Sequence, residues 1–154
     1  MNTMARSYSA QFSGAVGSSS YHQLCIYMAT AAGVRPKLYE FAVGSHATPA
    51  DYASEFLMAR STTAAPTGGA APTMAPLDMA DPAALATAYD AATGGETMST
   101  VLGMWGVNMR AAFRWVSAPG KEFVCPNTQY AGVGLQVAAQ SSAYNTDLTI
   151  FWEE

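Results

Sequence analysis

The sequence predicts an all-β fold, a single-domain β-sandwich or jelly-roll-like barrel of about eight to ten antiparallel strands over residues 1–154, with a Pro/Ala-rich extended arm inserted at about 62–83. Three observations carry this expectation. Apolar residues recur with a period of two instead of the helical period. The alternating runs are short and are separated by clusters of Gly, Pro, Asn and Ser. They return at intervals of about ten residues, the spacing of a sandwich or barrel.

The first run, "ARSYSAQF", sets Tyr8, Ala10 and Phe12 on one face and Ser7, Ser9 and Gln11 on the other, and "SGAVGSSS" ends it with turn residues. In "YHQLCIYMA" (21–29), Leu24, Ile26 and Met28 share a side with His22, against Tyr21, Gln23, Cys25 and Tyr27. Both faces of that strand are therefore covered. The run "VRPKLYEFAVG" turns Tyr39, Phe41 and Val43 inward and Leu38 and Glu40 outward, and Pro36, lacking an N–H, marks its beginning as an edge. "YASEFLMAR" (52–60) reads as a fourth strand, although its Ala, Glu and Met also suit a short helix.

The second half repeats the style. "TMSTVLGMWGVNM" (97–109) is β-rich but interrupted by Gly103 and Gly106, which predicts a bulge or two strands meeting at a bend. "RAAFRWV" (110–116) opposes Phe113 and Trp115 to Arg110 and Arg114, and a turn at "APGK", a short strand at "EFVC" and a turn at "PNTQ" follow. In "YAGVGLQVAA" (130–139), Val133, Leu135 and Val137 align while Gly132 and Gly134 leave the other face bare, so an aromatic ring or another backbone packs there. "NTDLTIFWEE" closes the sequence with Leu148, Ile150 and Trp152 inward. One segment is ambiguous: "DPAALATAY" (81–89) offers Asp81 as an N-cap and Pro82 at a first helical position, so a short helix competes with extended chain.

Between the two halves, Pro66, Pro72, Pro76 and Pro82 restrict φ and favour an extended, semi-rigid geometry over 64–82. Met74, Leu77 and Met79 on this arm are apolar and predict docking on a surface of this subunit or of a neighbour. A disordered surface loop is the alternative.

Half of the 154 residues are hydrophobic and only 12% are charged, against about 25% in average soluble proteins. So neutral a surface is poorly protected against association and predicts a homo-oligomer or an assembly. The net charge of -4, with seven Lys and Arg, excludes a nucleic-acid groove, which needs clustered cations. No apolar run reaches the length of a membrane span, and "MNTMARSYSAQF" lacks the apolar centre of a signal peptide, so synthesis in a cytoplasm is expected.

Catalytic and metal signals are thin. Cys25 and Cys125 lack CxxC spacing and read as two buried free thiols. His22 reads as a hydrogen-bonded core or interface residue and His46, in "GSHATP", as solvent-facing; a Cys25/His dyad lacks a marked third group to orient the base. Asp78 and Asp81 fit turn formation and capping better than calcium, and Asp51 and Glu55 fit a solvated edge. Glu153 and Glu154 form an exposed acidic end, and "TGGA" and "TGGE" lack the continuation of a phosphate loop. No catalytic residue, cofactor or metal ligand is expected.

Four segments, "MARSYSAQFSGAV" (4–16), "GGAAPTMAPLDMADPAA" (68–84), "GVNMRAAFRWVSAPGKEFVCPN" (106–127) and "LTIFWEE" (148–154), together resemble a family of small virion-associated proteins of tailed bacteriophages. The resemblance spans nearly the whole chain, and no single motif in it is catalytic. It aligns the family's start with Met4, and it departs where family members carry a Pro-Gly-Gly turn and this chain has "CPNTQYAG". It implies a capsid decoration (cement) protein, a non-enzymatic homotrimer seated on the exterior of a phage head over junctions of the major capsid protein. The interface residues this reading selects are Arg6, Tyr8, Met74, Pro76, Leu77, Met79 and Pro82. Alternatives are a tail, neck or fibre adaptor, or a lectin-like module stacking sugars on Trp105, Trp115, Tyr130 and Tyr144.

Overall fold

The long alternating runs pair first with last. In the computed structural model, which describes residues 5–16, 21–31, 33–46, 51, 53–62, 64–140 and 144–154, eleven strands form and all pairings are antiparallel. They are β1 (Ser7–Val16), β2 (His22–Tyr27), β3 (Lys37–Ser45), β4 (Ala53–Thr62), β5 (Ala75–Pro76), β6 (Thr87–Asp90), β7 (Thr97–Asn108), β8 (Phe113–Val116), β9 (Phe123–Val124), β10 (Gly132–Gln140) and β11 (Tyr144–Glu153). Met4, Tyr52 and residues 17–20, where turn residues are expected to end the first strand, lie outside the described residues, as do 1–3, 32, 47–50, 63 and 141–143.

β1 pairs β11, β2 pairs β10, β3 pairs β8 and β4 pairs β7, so the chain is one long antiparallel hairpin whose tip lies between β4 and β7. Wrapping that hairpin adds the β11–β3 and β10–β4 pairings and gives two sheets, β5-β1-β11-β3-β8, with β9 also on β3, and β6-β2-β10-β4-β7. This is jelly-roll connectivity. The Pro-rich arm, β5 and β6 are insertions at the hairpin tip.

Apolar residues from the two inner faces fill the space between the sheets, with Leu24, Ile26, Leu38, Phe41, Phe56, Met58, Leu135, Leu148, Ile150 and Trp152 inaccessible to solvent. The predicted alternation holds in β1, where Tyr8, Ala10 and Phe12 are buried, and in β11, where Leu148, Ile150 and Trp152 are buried. Burying each of these large side chains stabilises the fold by about 1.5–3 kcal/mol before ordering costs.

Several expectations are corrected. A bulge opposite Phe151 and Trp152 leaves Tyr39 unpaired, and from there toward Lys37 the faces invert, so Leu38 points into the core instead of outward. A second bulge, at Gln23, detaches His22 from the face of Leu24 and Ile26 and aligns it with Cys25. Pro36 precedes an interior strand, not an edge: β3 runs between β11 and β8, and the Pro36 carbonyl accepts the Cys125 N–H at 2.8 Å.

The expected fourth strand is β4 (Ala53–Thr62), interior to its sheet, and Thr97–Asn108 forms one long strand, β7, with two bulges. No helix forms at 81–89; the Asp78–Asp81 turn ends the arm, and Thr87–Asp90 joins β2 as β6, because pairing with a buried strand outweighs a two-turn propensity. Among the described residues no helix is long and apolar enough to cross a membrane.

Candidate functional site

Six of the seven residues selected for an interface converge on one end of the sandwich. Pro76 pairs with Tyr8 in the β5–β1 ladder, and the Leu77 N–H donates to the Ser7 carbonyl at 2.8 Å. The Tyr8 hydroxyl donates to the Pro82 carbonyl at 3.2 Å, and Arg6 Nε lies 3.5 Å from Asp81 Oδ1. The Arg6–Asp81 pair is half exposed on the arginine side and contributes little stability; its effect is to fix the two ends of the arm against β1. Burial first, then the nearby Glu154 charge, raise the Tyr8 phenol above its ordinary pKa, so it stays a neutral donor.

Met74 behaves differently. It packs against the core, and its sulfur accepts the Ala88 N–H at 3.2 Å, so the first half of the arm docks on its own subunit. Leu77 is 53% exposed and Met79 97% exposed. Beside them lies a cleft of about 270 Å³ lined by Arg6, Tyr8, Val34, Pro82, Leu85 and Glu154, with Leu85 half exposed at its rim.

Glu154 anchors this end. Contrary to the expected exposed acid, its carboxylate accepts hydrogen bonds from the Leu85 and Ala86 N–H groups, both at 2.8 Å, and from Trp152 Nε1 at 3.1 Å. The other surface acids follow the expectation of turn and edge roles: Asp78 accepts the Ala80 N–H, Asp51 accepts the Asn108 amide, and Lys37 pairs Glu153. His46 is exposed and 3.1 Å from Asp147. Arg114 makes a two-pronged pair with Glu40 at 2.6 and 2.8 Å.

The aromatics of the sugar-stacking alternative do not form one open platform. Trp105 and Trp115 belong to a ring cluster with Phe41, Phe113 and Phe123, in which Trp115 stacks on Phe123 at 4.7 Å and Trp105 meets Phe41 edge-on at 5.0 Å. Tyr144 is buried, and Tyr130 occupies the turn before β10 with a left-handed φ of 62°.

A second cluster went unmarked in the sequence. The bulge at Gln23 brings His22 to the Cys25 side of β2, and Glu96, at the end of "TGGE", reaches both. His22 Nδ1 lies 2.8 Å from Glu96 Oε2, the His22 backbone N–H donates to Glu96 Oε1 at 2.6 Å, and His22 Nε2 donates to the Ala59 carbonyl at 2.9 Å. A carbonyl only accepts, so Nε2 carries a proton.

Burial alone would raise the Glu96 carboxyl, but the His22 hydrogen bonds and charge outweigh it, and the acid is held below the ordinary range. Both side chains are inaccessible to solvent. Cys25 is equally buried, and desolvation, then the Glu96 charge, push its thiol well up, so it is no thiolate nucleophile. The bare glycine face belongs to this layer: a Cβ on Gly134 would sit 2.3 Å from Cys25 Cβ, and one on Gly132 2.7 Å from the Ile26 carbonyl oxygen. The packing partner is thus the adjacent strand β2, not an aromatic ring.

Searches of protein-family models, of curated proteins and of solved structures found no match to the chain.

Proposed function

We propose that the chain is a structural virion protein, a capsid decoration subunit that stabilises a tailed-phage head by bridging major capsid protein subunits from the outside. The observation that carries this reading is Met79, 97% exposed on an arm that is otherwise fastened to the sandwich. A methionine held out on an ordered support is a knob on a preorganised backbone: its burial costs the rotamer freedom of that one side chain but no further ordering of the arm.

The cleft beside Leu85 is the matching socket. A knob and a socket at different places on one surface make a heterologous contact, which closes into a ring when the rotation permits; a homotrimer is such a ring. The remaining outward apolar surface then faces the capsid, where many repeated modest contacts add up through multivalency. Jelly rolls occur in viral capsid and lectin domains alike, so the fold supports this reading by analogy and the surface supports it by chemistry. The low charge of the chain agrees with a component covered by copies and partners and with no direct role in nucleic-acid binding.

Two measurements test it. Purified full-length protein should sediment as a trimer, and Met79→Asp should sediment as a monomer with an unchanged circular dichroism spectrum and a Tm lowered only by the lost assembly; a monomeric wild type at micromolar concentration overturns the ring. Gel densitometry of purified virions should find the chain in tailless heads at a copy number near that of the major capsid protein. A few copies, confined to tailed particles, would establish instead the adaptor at a tail, neck or fibre, which uses the same knob.

A further inference from the structure

Beneath the hairpin tip, four buried groups converge without using all of their bonding capacity. A His22 ring nitrogen, Cys25 Sγ and a Glu96 carboxylate oxygen lie within 4.8 Å of one another, Nδ1 being the ring nitrogen that faces Glu96, and all three residues are buried. The Ser61 hydroxyl, on a residue 1% exposed, points toward the Glu96 carboxylate closely enough to lower its pKa yet outside hydrogen-bond geometry, and its oxygen has no partner. An orphaned buried hydroxyl costs roughly 1–3 kcal/mol, and the idle thiol beside it forms no disulfide.

We propose that His22, Cys25 and Glu96 bind a divalent zinc-like cation that staples the hairpin tip to β2, with the Ser61 hydroxyl holding a water in the fourth position. The donor set is one nitrogen, one sulfur and one oxygen, the mixture that borderline-soft Zn²⁺ accepts in tetrahedral sites. Donors about 2.0–2.3 Å from a tetrahedral ion are separated by roughly 3.3–3.7 Å. The 2.8 Å contact between His22 and Glu96 therefore needs to open by about 0.5–0.9 Å.

The orientation is already set. Nε2–H is committed to the Ala59 carbonyl, which aims Nδ1 at the carboxylate and fixes the ring as carbonyl partners do for metal-bound histidines. Charge also balances: the ion's two positive charges meet one thiolate and one carboxylate, with a neutral imidazole, so the loaded centre adds no net charge to the interior. Loading moves two protons to solvent, the one shared between Nδ1 and the Glu96 carboxylate across their 2.8 Å contact and the one on the thiol, and it forms three protein–metal bonds without any redox change.

Two loop segments seal the cluster. The Ala91 and Ala92 N–H groups donate to the Gln23 and His22 carbonyls, and Thr67 and Thr93 join the two sides of the tip through 2.9 Å backbone bonds. Metal therefore enters before or during closure of the tip, and its binding energy becomes folding energy.

The test uses the full-length protein stripped with a chelator and titrated with zinc chloride and, separately, with cobalt chloride. Zinc should bind at one ion per chain, release about two protons at neutral pH, and raise Tm as the free zinc concentration rises. Cobalt should show tetrahedral visible bands with a thiolate-to-metal charge-transfer band.

Cys25→Ser should abolish that band and weaken zinc binding by more than about a hundredfold, whereas Cys125→Ser should leave both unchanged. Absence of the charge-transfer band in wild-type protein overturns the proposal, whether or not the Cys25 variant folds. So does zinc bound as tightly by Cys25→Ser, which would assign the ion to a surface pair such as His46 and Asp147.

Discussion

The molecule buries two layers on opposite faces of the sheet that contains β2, and they are held by different physics. On the inner face Leu24, Ile26, Met58 and Leu135 meet Trp152, Leu148 and Phe41 of the other sheet, and apart from the Trp152 indole N–H, which Glu154 accepts, these side chains need only contact. On the outer face His22, Cys25, Ser61 and Glu96 are equally hidden, but each polar atom there costs free energy when it is left unmatched, as the Ser61 hydroxyl is. The inner layer tolerates a change of apolar residue in proportion to volume, whereas the outer layer loses stability by the desolvation penalty of each group that a removed partner leaves behind. The difference separates a stability that follows area from one that follows satisfaction.

The largest effect belongs to the inner layer. Trp152 is fully buried, stacks on Tyr8 at 5.7 Å and donates to Glu154. Trp152→Ala should cost about 4–5 kcal/mol, read as a fall in the denaturant midpoint. A loss below about 1.5 kcal/mol would mean that the inner layer refills and is not close-packed.

Glu96→Ala comes next, at about 3–4 kcal/mol in metal-free protein, because it leaves both the His22 backbone N–H and Nδ1 without an acceptor in a solvent-free site. The double replacement His22→Leu with Glu96→Met sharpens the comparison. Replacing both members of a buried pair by apolar groups is often near neutral, so it should recover the part of the loss that belongs to Nδ1 and leave the part that belongs to the residue-22 backbone N–H and the Ala59 carbonyl, which have no partner in the double variant; no recovery at all would show that the tip needs the polar contacts for its shape. Chemical denaturation of the two variants side by side decides the matter.

The inner layer was legible in the alternation of Tyr8, Ala10 and Phe12 and of Leu148, Ile150 and Trp152, since a period of two with a large apolar residue on one face has one solution in a sandwich. The outer layer was not. His22 and Cys25 stand three apart, which in a regular strand places them on opposite faces, and only a bulge at Gln23 unites them. Bulges depend on the partner strand, not on local composition, and the same cause misassigned Leu38. Glu96 follows two glycines in a tip segment with no periodicity, so nothing near it indicated burial. The one available signal was the spacing of "HQLC", a histidine and a cysteine with two residues between them.

Interface residues divided along similar lines. Pro76 and Pro82 marked an arm correctly because proline limits φ wherever it stands. Which side of that arm faces the subunit depends on pairing with Ser7–Ser9, a contact between segments far apart in sequence, and so Met74 turned in while Met79 turned out.

A smaller and slower difference separates the thiols from the surface. Burial pushes the Cys125 thiol up to about 12. In the unfolded chain it ionises near its ordinary value of about 8.5, so the stability it protects is intact below that pH and is lost as pH rises toward 12. Unfolding midpoints should fall across that window, and Cys125→Ala should flatten the fall. At pH 8 in native protein neither thiol should react with an alkylating reagent on the time scale of a free cysteine, and denaturant should release both.

The smallest effect on stability falls at Met79. Its side chain makes no contact that folding requires at 97% exposure, so Met79→Ser should move the denaturant midpoint by less than about 0.5 kcal/mol. Met74→Ser, five residues away on the same arm, should cost roughly 1–3 kcal/mol, because its sulfur and methylenes pack on the core. The two methionines thus form a control for each other: one holds the arm to the sandwich, the other reaches into solvent. If both substitutions alter the midpoint equally, the arm is a structural strap along its whole length and offers nothing to a partner. If Met79→Ser leaves the midpoint fixed but shifts the sedimentation coefficient toward that of a monomer, the outward methionine is an assembly contact, and its exposure in the isolated chain is the measure of what assembly covers.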